Sequence, residues 1–334
     1  MNQNQPASPP RSNWQSLLSV LLAVALIAGL ILFAGADLLD AIAASNPWLL
    51  TLSLLLSATT FPLASWRWWM ISNALAGYQI SSFHDFLRAR VALACGGLVA
   101  PRELVETGGR TLWLIKFRQQ RPTLAINGVL IDRICDLGIS GVALSGGLVL
   151  LLWQPPATAA AGITLASSLA LVAMILALQL VLPRLLPSAG RSADQPHINE
   201  HPPWRMRLLE SRDIWLNMPT RVVAAALALS VVKFYILLVR AVVVGLAVGS
   251  AVSAADLLTI SPWAQMANLV SLTPGGFGVY EASWFGLLQM LGAAIATAVA
   301  FVLVQRVCEL TSIISMLPFV GNIRRTFAPL TGAK

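Results

Sequence analysis

Long apolar runs constrain this chain more than any other feature. They fall at about residues 15 to 35, 48 to 66, 123 to 152, 158 to 182, 221 to 249 and 294 to 318, each near or above the roughly 20 residues that a helix needs to cross a bilayer. Inside lipid every backbone N–H and C=O must be bonded within the protein, and no strand-length alternation recurs, so helices rather than a closed barrel are expected. Composition agrees, since 57% of the 334 residues are hydrophobic and 11% charged, outside the range of a water-soluble globule. The expected fold is all-α: a polytopic integral membrane protein with about 6 full spans. The first run, Leu17 to Phe33, follows Arg11 and ends in Ala34-Gly35-Ala36. It is longer than the apolar core of a cleaved signal peptide and reads as a retained helix.

Two further apolar regions are interrupted. Residues 86 to 117 break at Gly96-Gly97 to Pro101, and residues 256 to 291 break at Pro274-Gly275-Gly276-Phe277-Gly278. Each is either a re-entrant hairpin or a pair of short spans. Orientation follows from Lys and Arg, which gather in residues 102 to 121 and 184 to 221 and near the end at Arg324, Arg325 and Lys334. Residues 36 to 47, 153 to 158 and 250 to 256 carry none. The positive-inside rule then places both termini in the cytoplasm. The net charge of +8 lies in these connections rather than on one soluble face, which suits anionic lipid headgroups and gives no reason to expect nucleic acid. The expected organisation is a polar cytoplasmic segment 1–14, one transmembrane domain 15–325 with a cytoplasmic loop at 184–220, and a tail 326–334.

The chain also repeats itself. Arg133-Ile134-Cys135-Asp136-Leu137 and Arg306-Val307-Cys308-Glu309-Leu310 are one pattern, and their numbers differ by a fixed offset (306 − 133) that also relates Pro101 to Pro274 and Arg67 to Arg240. This predicts a duplicated unit, about 48–152 and 221–325. With the orientation above, the copies are inverted in the membrane, an architecture that puts transport sites at the repeat interface.

Charged groups within membrane helices are costly, so each is a candidate for function. Arg133 and Arg306 lie deep in their helices. Each has a carboxylate three residues on, Asp136 and Glu309, so the pairs are either self-neutralising structural glue on one helix face or part of a substrate site. Lys233 and Arg240, seven residues apart, share a face two turns apart. They form a cationic stripe unless Arg240 snorkels to an interface. The break at Pro274, Gly275, Gly276 and Gly278 starts a helix whose free N–H groups attract an anion, or whose first-turn Glu281 fills that place itself. Trp66, Trp68 and Trp69 around Arg67 read as an interfacial aromatic belt. His197-Ile198-Asn199-Glu200-His201 matches a zinc pattern, but Pro196, Pro202 and Pro203 beside it oppose the helix that would align two ligands, so no metal is expected. Cys95, Cys135 and Cys308 sit in apolar stretches as small buried hydrophobes. With no P-loop, nucleotide fingerprint or catalytic triad at plausible spacing, neither a cofactor nor an enzymatic activity is expected.

The run Pro274-Gly275-Gly276-Phe277-Gly278-Val279-Tyr280-Glu281-Ala282, with Gln305-Arg306 in the last span, resembles the transmembrane family of lysylphosphatidylglycerol synthases. Asp132-Arg133 with Asp136 resembles that family's acidic-Arg pair, and the resemblance covers nearly the whole chain. Pro101 to Glu106 occupies its first Pro-Gly-Arg-x-Gly-Glu turn but departs from it at Arg102, Glu103 and Val105. That resemblance implies a first-turn site at Pro101, Glu106 and Arg110, a bacterial inner-membrane location, and a flippase-like role. In fused members the membrane domain is implied to flip an aminoacylated phospholipid made by a synthase domain. No synthase domain is expected here, because the last apolar run falls near the end of the sequence. The expected function is translocation of an anionic, aminoacylated or glycosylated lipid. The alternative is a non-transporting partner of a glycosyltransferase or lipid-modifying enzyme, docking through the basic residues of 184 to 221.

Overall fold

The computed structural model describes residues 42–153, 213–215, 217–269 and 278–320, with positions 40, 173 and 327. The apolar run at 15 to 35, that at 158 to 182 apart from position 173, the turn residues Pro274, Gly275 and Gly276, the histidine cluster at 197 to 201 and most of the basic connection lie outside the described residues. Among the described residues all regular structure is helical. The order is α1 (Pro47–Ala76), α2 (Phe83–Val99), a π-helical turn (Leu104–Gly108), α3 (Gly109–Arg118), α4 (Pro122–Trp153), α5 (Thr220–Ala247), α6 (Ala254–Leu269), α7 (Val279–Met290) and α8 (Ile295–Val320). Helices α1 and α5, and residues Ile295–Phe319 of α8, are long and apolar enough to cross a membrane.

Local sequence explains where these helices begin and end. Asn46 precedes α1, and its side-chain oxygen accepts from the N–H groups of Trp48 (3.0 Å) and Leu49 (3.4 Å), while Pro47 fills the first position without losing a needed donor. Gly77 ends the helix in a left-handed conformation, φ +76°. Ser82 caps α2 by accepting from Asp85 N–H at 3.3 Å. The chain then breaks at Ala100, which is extended (φ −132°, ψ 165°), just before Pro101. At 17, 10, 16 and 12 residues, α2, α3, α6 and α7 fall short of the roughly 20 needed to cross.

Helices α1 and α5 pack along each other and run antiparallel, since the Asn46 N–H at the head of α1 donates to the Ala247 carbonyl at the tail of α5 (2.9 Å). Helix α4 packs on α6, and α8 on α2, so each long later helix leans on the short helix of the other segment. The starts of α1 and α5 (220 − 47) and those of α4 and α8 (295 − 122) are separated by the same offset that relates the two sequence patterns. Close approaches depend on missing side chains: a Cβ on Gly245 would lie 2.4 Å from a Leu257 methyl, and one on Gly109 2.4 Å from a Leu93 methyl.

One aromatic expectation is corrected here. Trp66 is exposed, but Trp68 is fully buried, with ring centroids 4.7 Å from Phe86 and 5.3 Å from Trp113. Successive helical residues step about 100° around the axis, so Trp66 and Trp68 cannot share one face. Arg67, read as part of an interfacial belt, is only 1% exposed.

Candidate functional site

Arg67 is the hub of a buried charge network. Its Nε donates to Asp132 Oδ1 at 2.6 Å, its two terminal nitrogens to Asp136 at 2.6 and 2.9 Å, and Nη1 also to Ser230 Oγ at 2.5 Å. Asp132 receives Arg110 Nη1 on its other oxygen, again at 2.6 Å, and Asp136 receives Lys233 Nζ at 2.7 Å. Helices α1, α3, α4 and α5 are thus tied by charge-assisted bonds at one level.

These bonds decide between the sequence readings. Arg133 and Asp136 do not pair with each other: Arg67 and Lys233 claim Asp136, and Arg133 turns to Glu103 (3.0 Å) and Glu106 (3.4 Å). The equivalent pair does form in the second segment, Arg306 to Glu309 at 3.0 Å. Spacing alone put both pairs on one face, and competition from neighbouring helices broke the first. Glu309 also accepts from Arg102 Nη1 at 2.5 Å. With Lys233–Asp136, this gives two ion pairs that join the first segment to the second.

The two breaks differ. At the first, Val105 N–H returns to the Pro101 carbonyl (3.0 Å), and the π-helical turn carries Glu106 inward towards Arg102 and Arg133. The Glu106 carbonyl accepts from Arg110 Nε at 2.7 Å. At the second, Gly278 has φ +93°, a conformation that glycine adopts freely. Its N–H donates to Glu281 Oε2 at 2.7 Å, and Arg306 holds Oε1, with Nε at 2.5 Å. Glu281 is 2% exposed. The protein's own carboxylate therefore caps this helix start at Gly278, and the expectation of a ligand anion there gives way to the first-turn reading.

A cavity of about 140 Å³ lies among the helices, room for roughly ten water-sized spheres. Its wall carries five cations, Arg90, Arg102, Arg133, Lys233 and Arg240, and four carboxylates, Glu103, Glu106, Asp136 and Glu309. Phe61, Ile139, Phe234 and Leu237 supply apolar patches. Lys233 and Arg240 line it together, as their seven-residue spacing predicts. Arg240 does not snorkel: it is 5% exposed and donates to Ser57 Oγ and Tyr280 Oη, each at 3.2 Å. Arg306, Glu281 and Arg110 stand outside this wall and brace it, whereas Arg67, Arg90, Arg102, Glu103, Gln265 and Tyr280 take part in the network or wall without having been expected as site residues from sequence.

The repeat offset held a signal for some of them. It relates Ser57 to Ser230 (230 − 57) and Phe61 to Phe234 (234 − 61). Arg67 donates to Ser230 while Arg240 donates to Ser57. The two contacts are interchanged by the offset, as two-fold related contacts are. Among the described residues, no group of three or more His, Cys, Asp or Glu side chains is arranged to hold a metal ion.

No curated protein and no solved structure matches the chain. The family described as lysylphosphatidylglycerol synthase TM region matches residues 20–315, a stretch that includes every residue of the cavity wall. The chain is therefore a membrane protein of the lysylphosphatidylglycerol synthase TM region family.

Proposed function

We propose that this protein carries the headgroup of an anionic lipid across the membrane through the cavity between two inverted repeats. The single observation that carries the reading is the cavity wall itself. Five cations and four carboxylates line a space among helices long and apolar enough to cross a bilayer, where such groups are costly unless they serve a polar path. The cavity can take a polar headgroup, while acyl chains remain in lipid.

The inverted-repeat reading draws on the antiparallel α1 and α5, the equal spacing of the long helices and the interchanged Arg–Ser contacts. The two ion pairs between the repeats, Arg102–Glu309 and Lys233–Asp136, are the contacts that rocking of one repeat against the other would break. The positive-inside distribution supports a cytoplasmic side for both termini, and the family resemblance supports the bacterial inner membrane.

The test is headgroup accessibility in proteoliposomes containing fluorescent phosphatidylglycerol or a polyprenyl phosphate. Wild type is compared with Arg133→Gln and Lys233→Gln, both confirmed folded. Movement by wild type that is lost in both variants supports the proposal. Failure of folded wild type to move any lipid rejects it.

A further inference from the structure

Of the charge differences between the two repeats, one bears directly on Arg67 and its counterpart Arg240. In the first, Arg67 is neutralised by Asp132 and Asp136. In the second, the repeat offset sets Gln305 against Asp132 (305 − 132), an amide without charge. Glu309, which corresponds to Asp136, has one oxygen on Arg102 and the other on Arg306. Arg240, the counterpart of Arg67, therefore has two hydroxyl partners and, among the described residues, no carboxylate within 4.0 Å. Among the described residues its Nε has no partner, and neither amide atom of Gln305 has one.

A second observation is independent of charge. Four buried side-chain atoms of the cavity wall lack a hydrogen-bond partner among the described residues: Arg90 Nη1, Arg133 Nε, Arg240 Nε and Gln265 Nε2. All four are N–H donors. Buried donors left unpaired are costly, and the group that satisfies several of them supplies acceptor oxygens. Arg90, Arg102, Arg133 and Lys233 each have a carboxylate within 4.0 Å, whereas Arg240 has none among the described residues, so the matching ligand supplies one negative charge.

We infer that Arg240, with Gln265 of the same wall, forms a subsite for a phosphodiester monoanion of the kind that a phospholipid headgroup presents, and that Gln305 keeps this subsite open by withholding the carboxylate that closes its counterpart at Arg67. The inference deepens the translocation reading and rests on it for the membrane context. A phosphodiester offers acceptor oxygens, a single charge and no donor, matching the wall on all three counts. A guanidinium binds such a group through parallel N–H bonds.

The experiment is native mass spectrometry of the detergent-solubilised full chain with phosphatidylglycerol, phosphatidylcholine or phosphatidate, and with dimethyl phosphate as a soluble competitor. Wild type should bind phosphatidylglycerol more tightly than the dianionic phosphatidate and about tenfold or more tightly than phosphatidylcholine, which has the same phosphodiester but adds an ammonium that the cationic wall around Arg240 repels. Arg240→Gln and Gln305→Glu should each remove that preference, the second by giving Arg240 an internal partner. Arg240→Lys should keep part of it, and Arg221→Gln, at an exposed position on the same helix, should bind as wild type does. Unchanged preference in both Arg240→Gln and Gln305→Glu, or tighter binding of phosphatidate, overturns the inference. Competition by dimethyl phosphate at lipid-like concentration assigns the subsite to a soluble ester, and its absence assigns it to the lipid. Arg240-dependent binding without movement in proteoliposomes rejects translocation and keeps the subsite; movement unaffected by Arg240→Gln does the reverse.

Discussion

Asp132→Asn should destabilise the fold by about 3–5 kcal/mol, the cost of breaking a buried ion pair while leaving its partners charged. Asp132 is 1% exposed and accepts from Arg67 and Arg110, each bond 2.6 Å long. Asparagine keeps the shape but has one acceptor oxygen. Its NH₂ group must therefore face one of the two guanidinium groups, turning a charge-assisted bond into a donor–donor contact, and the surviving bond loses its ionic character. Each charge-assisted bond is worth about 1.5–3 kcal/mol, so two affected bonds give about 3–6 kcal/mol, which overlaps that range. The assay is reversible unfolding in mixed micelles by titration with sodium dodecyl sulfate, followed by tryptophan fluorescence. The cycle is completed by Arg110→Gln and the double variant. Removing Arg110 as well takes away one of the stranded cations, so the double variant should be less destabilised than the sum of the singles, with coupling of at least about 1.5 kcal/mol. Interhelical hydrogen bonds in membrane proteins average about 0.6 kcal/mol. A loss and a coupling both no larger than that would refute the view that Asp132 holds this network together.

Other expectations follow from the same geometry. Glu281→Gln leaves an oxygen able to accept from Gly278 N–H but removes the charge facing Arg306; thermal unfolding should show a loss of about 1.5–3 kcal/mol, and an unchanged midpoint would contradict it. Trp68→Ala opens a void between Phe86 and Trp113 and removes the ring beneath Arg110, so a cost of about 3–5 kcal/mol is expected, read as loss of the monodisperse peak in size-exclusion chromatography. Gly245→Val drives a branched side chain against buried Leu257 and should cost about 1–3 kcal/mol by overpacking, measured as a fall in thermal midpoint. A neutral result there would mean that α5 and α6 do not approach as closely as described.

Sequence by itself determined the solvent, the all-helical class and the family, because the hydropathy of a span-length window and a Pro-Gly-Gly-Phe-Gly turn are local properties. The repeat offset was equally legible, since it compares the chain only with itself. It paired Arg67 with Arg240 and Arg133 with Arg306, and it also contained Asp132 against Gln305, the difference that leaves Arg240 without a carboxylate. Sequence could not determine which opposite charges meet. Arg133 and Asp136 have the spacing of an ion pair, yet Asp136 goes to α1 and α5 because Arg67 and Lys233 reach it first, and that competition exists only once three helices are assembled. Trp68 and Arg67 were misread for the same reason: a tryptophan or arginine near a helix end suits an interface as well as an interior, and only the packing of α2 and α3 against α1 decided for the interior. Tertiary structure also separated the charges that line the cavity from those that brace it, because a burial pattern on one helix does not say what lies on the other side.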